Sequence, residues 1–350
     1  MKTFSLFALI TVVILGISIS FIACGRKHNG NLTPAQGAQA TSEGMTTALN
    51  ILNTGVQLSN LASTGGMGVN TASQGLTEFA AANVKATGVG KFAARLSPTL
   101  HKAQSVEASA EGFPVAFSCA TGMSTTAPIN STNSLTVDYD GVSTFTLTFN
   151  ACLNGAMLTN GEMQISSGTS EVYIIGSADS PFTVTDFVSA TSTTAIDMFQ
   201  ANMSMLYTPN TSSPGSDTIA VSGTLEEWNY VIHTHDFDTL TNLSITSEST
   251  TTSINTTNNS VDTLTVNGSQ SRNIYVSDTD STIRYNEELV LSNFIVVYKT
   301  GASGNGNDYL NINGTYYIVN TPEVCLDGTF TITTTNDIQI DPNGLHRLDS

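Results

Sequence analysis

The chain has 350 residues, 40% of them hydrophobic, which is enough to bury a substantial core. Its 28 Asp and Glu outnumber its 11 Lys and Arg, giving a formal net charge of −17. Such a balance argues against a nucleic-acid binder, which needs clustered basic charge, and suits a well-solvated surface, divalent ions or a cationic partner.

The chain opens MKTFSLFALITVVILGISISFIACGRK. Lys2 supplies a short positive region, and Phe4 to Ile22 carries no charge. At the extreme N-terminus this predicts a targeting segment over residues 1–23 rather than a spanning helix. No later segment is apolar enough to cross a bilayer as a helix. The stretch ends Phe21-Ile22-Ala23-Cys24, which resembles the lipobox of bacterial lipoproteins, where a cysteine follows two small or apolar residues. Phe21 departs from the usual leucine, and the resemblance covers the first 24 residues only. It implies cleavage before Cys24, acylation of that cysteine and membrane attachment through the lipid. Gly25, rather than Asp, implies the outer membrane of a two-membrane bacterium. Two or more acyl chains anchor firmly where one holds marginally. Residues 24–33 are polar and read as a tether.

Residues 34–111 are rich in Ala, Gly, Gln and Ser and predict a helical segment. Met45, Leu49, Leu52 and Val56 form one helical stripe, which Pro34 can open and STGGMG ends. A second helix is expected over residues 72–86, with Leu76, Phe79, Ala80 and Val84 on one side, and a short third in GKFAARLS. Their narrow stripes require the second half of the chain to pack against. Residues 24–111 hold six basic and four acidic side chains, whereas residues 112–350 hold four and 24. Lys85, Lys91, Arg95 and Lys102 therefore have two readings, contact with anionic lipid or neutralisation of the acidic half, and the charge asymmetry favours the second.

From residue 112 onward the text is Thr, Ser, Val, Ile and Tyr in two-residue alternation, with no strong helical stretch. This predicts a mainly β domain over 112–350, built as an antiparallel sheet. Asp140-Gly141 predicts a two-residue type I′ hairpin. A phrase then recurs at positions 217, 262 and 308: DTIAVSG, DTLTVNG and DYLNING. Each copy follows a line in which Asn202, Asn242 or Asn293 precedes an apolar residue. The repeat unit is a hairpin, with copies near 201–232, 241–276 and 292–320, joined by PNTSSPGS, TTTSINTTNNS and GASGNGN. A propeller blade has a similar period, but three copies are too few. LTNGEMQI at Leu158 and VCLDGTFTI at Val324 are candidate outer members of the series. Asp217, Asp262 and Asp308 are expected to start a strand or close a turn. Glycine inside a strand marks a bulge or bend. Gly223, Gly268 and Gly314 hold one place in successive units, so they predict a crease and a strongly curved sheet. The expected architecture is a long half-barrel or cradle with the helical segment packed on its concave face.

Beyond Cys24 the chain has Cys119, Cys152 and Cys325. A Cys119–Cys152 disulfide is expected in an oxidising compartment, leaving the partner of Cys325 open. It needs either loop residues that bring two strand ends together or direct pairing of the two strands. His233 and His235 would share a strand face and could reach one metal ion, but no third ligand is placed; a polar turn is the competing reading. DTDST at Asp278 is a further weak oxygen cluster, and SGNGNDYL at Ser303 resembles one calcium-binding RTX nonapeptide without the stacked copies that architecture needs. No nucleophile elbow, phosphate-cradling loop or paired acids can be read. No cofactor is expected. The expectation is a non-enzymatic, lipid-anchored envelope protein holding a lipid, glycan or protein ligand. The alternatives are an adhesive protein using Thr/Asn-rich loops and, last, a tethered hydrolase.

Overall fold

A computed structural model describes residues 17–23, 54, 88–96, 113–119, 133–209, 216–254, 257–299, 308–321, 326–334, 338–341 and 344–347. Residues 88–96 form a helix, α1. Sixteen strands are described. The first eight are β1 (Ile17–Ala23), β2 (Val115–Ser118), β3 (Ser134–Tyr139), β4 (Thr144–Asn154), β5 (Met157–Ser166), β6 (Glu171–Ile175), β7 (Phe182–Phe187) and β8 (Ala195–Thr208). The long central strands are β9 (Ser216–Asn229), β10 (Thr234–Ile254), β11 (Thr257–Tyr275), β12 (Ile283–Lys299) and β13 (Asp308–Thr321). The last three are β14 (Leu326–Thr334), β15 (Ile338–Asp341) and β16 (Gly344–Arg347).

All sixteen belong to one antiparallel sheet, and thirteen of them make its principal path. From β2 to β14 that path follows chain order, so almost every connection is a hairpin. β6 and β7 share one lane between β5 and β8, broken by the loop at Gly176. β14 and β15 likewise share the lane beside β13, with β1 lying outside β14 and β16 outside β15. We call the end carrying the turns at 188–194, 230–233 and 276–282 the lower end. Of the helices expected from the sequence, α1 coincides with the third; of the first only Thr54 is described, in a helical conformation, and the second, 72–86, lies outside the described residues.

The repeat in the sequence is a set of positive-φ glycines and β-bulges on neighbouring strands. Gly223, Gly268 and Gly314 have φ of +130°, +117° and +158°. A β-carbon on any of them would fall at 3.0 Å or less from the backbone oxygen of Asn202, Asn242 or Asn293 respectively, on the preceding strand. Those are the asparagines that pair with the glycines in the sequence repeat. Asn242 and Asn293 are themselves left-handed, with φ of 47° and 46°, and sit in bulges where the register slips. The residue before each glycine secures the next bulge: Asn242 N–H donates to Ser222 Oγ at 3.0 Å, and Asn293 N–H to Asn267 Oδ1 at 2.8 Å. An Asn-Gly or Ser-Gly pair thus caps one strand and makes room for another. The N-terminal member of the series repeats the device, with Ala151 at φ 47°, its N–H bound to Asn160 Oδ1 at 2.7 Å, and Gly161 opposite.

Each bulge also shifts the two-residue alternation by one, because two residues oppose one across the ladder. Leu240 and Leu243, and Leu291 and Phe294, are therefore three apart yet both buried on the same face. The crease leaves that face continuous. It carries one core cluster including Phe149, Phe182, Phe199, Tyr207, Val266 and Phe294.

Four details depart from the sequence expectation. Asp140-Gly141 does not form a two-residue turn. Asp140 Oδ1 accepts N–H bonds from Val142, Ser143 and Thr144 (2.8, 2.8 and 2.9 Å), which draws three residues into the loop. Those bonds, Thr144 foremost, hold the Asp140 carboxyl down at about 2. Asn202, unlike its counterparts, lies in an unbroken register with β9. Asp217 and Asp308 stand at strand starts, but Asp262 lies inside β11, opposite Ser249 and Tyr298. The reason is that the Thr/Asn-rich segment read as a loop is mostly strand, paired out to Ile254 and Thr257.

Cys119 and Cys152 are bonded, with Cα atoms 5.2 Å apart. Their strands are not neighbours, since β3 lies between β2 and β4. The bridge passes beyond the first residue of β3, where Asn133 ties both sides. Its carbonyl accepts from Cys119 N–H at 3.2 Å and its side chain from Leu153 N–H at 3.0 Å. Cys325 lies outside the described residues.

Replacing Gly268 with Ala combines a disfavoured backbone region with a main-chain clash, and is expected to destabilise the fold by about 3 kcal/mol or more. Asn293→Gly, which keeps the left-handed geometry open, should stay within about 0.5 kcal/mol of the native chain. Urea unfolding of both variants measures the contrast. Cys119→Ser removes a cross-link spanning a separation of 33 residues. It should lower the melting temperature through a loss of about 3 kcal/mol, and an unchanged melting temperature would reject a stabilising bridge.

Candidate functional site

The lower half of the buried face carries charge. Going down from the crease, β9 places Leu225 and Glu227 on that face. Asp236 is paired with Glu227 and Asp238 with Leu225 on β10, and Arg272 is paired with Asp238 on β11. Asp186 on β7 and Asp197 on β8 face each other one lane away. Asp197, Glu227 and Asp238 are among the few buried polar residues described.

α1 lies over this floor and crosses the strands. Val89, Phe92, Ala93 and Leu96 recur at steps of three and four and are all buried. Phe92 meets Phe182 edge-on and Phe199 at a tilt, both at 6.3 Å between ring centres. At the helix start, a β-carbon on Gly88 would stand 3.1 Å from both Asp238 Oδ2 and Glu227 Oε2. The backbone there approaches two carboxylates, which the partial positive charge of a helix N-terminus favours. One turn on, Lys91 pairs with Glu227. A further turn on, Arg95 pairs with Asp186 and, through Nη2 at 2.8 Å, with Asp197, while its guanidinium lies 5.0 Å over the Phe199 ring. Lys91 and Arg95 thus neutralise the acidic sheet, the reading their charge asymmetry favours; Lys85 and Lys102 lie outside the described residues.

The third cation is supplied by the sheet. Arg272 Nη2 bonds Asp236 Oδ2, and Arg272 Nε is 3.7 Å from Asp238 Oδ1. Gln270 donates to Asp238 Oδ1 at 2.9 Å. Burial pushes the Asp238 carboxyl up to about 6, against the pull of Arg272 and Gln270, with Asp236 and Glu227 adding to the rise. For Arg272, burial works against the charge, and Asp238 and Asp236 more than offset it, so its pKa rises. Among the described residues Glu227 Oε2 and Asp197 Oδ1 are buried without a hydrogen-bond partner, an arrangement that costs about 1–3 kcal/mol per group. A second polar group lies near the upper end. Tyr173 donates to Glu171 at 3.4 Å and Tyr207 to Asp217 at 3.2 Å, and burial raises Glu171 to about 6. Chemically, the lower floor is an electrostatic seat for the cationic side of α1.

The two histidines do not converge. His233 falls in the turn at φ 55° and its Nδ1 is 3.1 Å from Asp278 Oδ2. His235 is buried on β10, stacked between Trp228 at 4.7 Å and Tyr275 at 4.1 Å, with Nε2 2.6 Å from Glu226 Oε1. The alternation that would put both on one face ends at the turn. Asp280 accepts the N–H of Thr282 at 2.9 Å, so DTDST is a closed turn. Among the described residues no group of three or more His, Cys, Asp and Glu is arranged to hold a metal ion. Cys24 and the loop of SGNGNDYL that precedes β13 lie outside them. Single-letter scanning misses the charged floor, but Glu227 and Arg272 each stand four residues after a crease glycine, and that shared offset places opposite charges on one face.

Comparison with protein-family models, with curated proteins and with solved structures finds no match to this chain.

Asp238 binds its proton more tightly folded than unfolded. Its ionisation therefore costs nothing below pH 4 and destabilises increasingly as pH rises through 6. Asp238→Asn keeps an acceptor for Gln270 and removes that dependence. Relative to the native chain, the variant should gain stability on the order of 2 kcal/mol between pH 4 and pH 8, measured by urea unfolding at both values.

Proposed function

We propose that the chain is an acylated cell-envelope lipoprotein, anchored to the outer membrane through Cys24, whose sheet serves as a non-enzymatic scaffold. In this reading the crease curves the sheet into a half-barrel or cradle, and the helical segment 34–111 lies in it. The observation that carries the reading is the seating of α1. Phe92, Lys91 and Arg95 occupy the floor of the lower half, so the hollow there is filled by the protein's own helix. A lipid, glycan or envelope-protein ligand would then meet the rim, an edge or the outer face. The adhesive alternative is less well supported, because its longest Thr/Asn-rich loop is largely strand.

The lipobox resemblance supports the anchor, and it bears on one further feature. β1 lies inside the segment the lipobox assigns to the signal, so cleavage before Cys24 would remove β1 and leave β14 at the sheet edge. Expression of the full chain in a two-membrane bacterium with labelled fatty acid tests the anchor. Label should enter the native chain and be absent from Cys24→Ala; an unlabelled native chain would overturn the lipoprotein reading.

A further inference from the structure

We propose that the lower rim of the sheet is a membrane-contacting edge, whose hairpin tips seat in the uncharged interface of the bilayer. This deepens the lipoprotein reading and rests on it for the anchor at Cys24.

The observation is where the exposed apolar side chains lie. Single exposed apolar residues are ordinary on a soluble surface, whereas a contiguous group marks a contact site. Val188 (64% exposed), Val231 (65%), Ile232 (61%), Val276 (49%) and Ile283 (47%) all sit at or beside the three lower turns. The other large exposed apolar residues described, Val142, Val172, Ile174 and Leu206, belong to an upper turn or to the upper strands.

The three turns form one surface. Tyr230 N–H reaches back to Ile196 O at 2.8 Å, joining the second turn to the start of β8. His233 and Asp278 join the second turn to the third at 3.1 Å. Behind the tips, the Trp228–His235–Tyr275 ring stack ties β9, β10 and β11 side by side. The apolar tips are therefore presented on a braced frame.

Charge selects the occupant. The turns at 188–194, 230–233 and 276–282 contain no Lys or Arg. Of their two acids, Asp278, with its side chain 7% exposed, faces His233, while Asp280 is exposed and caps Thr282. What remains exposed is Val and Ile among Ser, Thr and Tyr, with His233 and one acid, Asp280. With no Lys or Arg the turns offer anionic headgroups no fixed positive charge, and their Val and Ile suit insertion at a zwitterionic headgroup–acyl boundary, where binding scales with the apolar area buried. The polar tether of residues 24–33 extends at most roughly 35 Å, so an anchored body has a bilayer within its own dimensions.

Trp228, the only tryptophan in the chain, stands three residues before Val231 and reports on the rim. The full acylated chain is reconstituted into phosphatidylcholine vesicles with plain or brominated acyl chains. Trp228 fluorescence should be quenched in the brominated vesicles. The double variant Val231→Ser, Ile232→Ser should lose that quenching while keeping the native melting temperature and the acyl mass. Equal brightness in both vesicles, with the protein still floating with lipid, overturns the proposal. So does binding that needs added phosphatidylglycerol and is abolished by salt. If mass spectrometry shows no acyl group, the lipoprotein reading fails separately. The unacylated chain is then mixed with the same vesicles, where quenching supports the rim and its absence overturns it.

Discussion

At each long strand a backbone oxygen of one chain segment lies where the next would otherwise carry a β-carbon. That contact, between Asn202, Asn242 or Asn293 and Gly223, Gly268 or Gly314, fixes where each of these strands must carry a glycine. A strand of 14 to 21 residues, as β9 to β13 are, is far longer than usual and would twist away from its core if it ran straight. The bulges increase the local bend, and their extra residue restores the alternation, so the buried face remains one surface through the turn in direction. The side-chain caps from Ser222 and Asn267 give the bulged N–H groups the partners that the ladder withdraws.

The bent face has two halves of different character. Above the crease it is aliphatic and aromatic; below it, five carboxylates meet two cations from α1 and one from β11. Hydrophobic packing alone would let a short amphipathic helix slide along such a floor. The pairing of Lys91 with β9 and of Arg95 with β7 and β8 fixes both its direction and its position, and Gly88 allows its first turn close to Glu227 and Asp238. The specificity has an energetic cost, visible in the carboxylate oxygens left without a donor and in the raised pKa of Asp238.

The special backbone of the three glycines was legible in the sequence because one chemical requirement recurs at one spacing: glycine tolerates the approaching carbonyl, so three glycines repeat in step. The mainly β class followed from alternation, and the disulfide from the placing of Cys119 and Cys152. Other features were not legible, for identifiable reasons. Asn202 has the same letter as Asn242 but no slipped register beside it, and the difference lies in the neighbouring strand. Asp140 reads as half of a two-residue turn until its side chain captures three N–H groups. Thr250 to Ile254 and Thr257 to Asn259 have loop composition, yet pairing across the hairpin makes them strand. His233 and His235 alternate in the text, but a turn ends the strand between them. The charged floor depends on β7, β8, β9, β10 and β11 together with a helix about a hundred residues earlier. Composition gave only its net effect, a basic first segment and an acidic second.

The asparagine bulges have a consequence for how this sheet can change. In an ordinary strand, loss of one residue exchanges the buried and solvent faces of everything beyond it. Between Leu240 and Leu243, or between Leu291 and Phe294, the same loss would return the strand to plain alternation with its apolar side chains still inward. These short intervals therefore permit length variation inside a strand, where indels are otherwise disruptive. Removing a residue at one of them takes away a bulge and its local bend, and inserting a comparable Asn-bearing step elsewhere would add one. Local bends of this kind are thus made by single-residue insertions, which can be added or deleted one at a time.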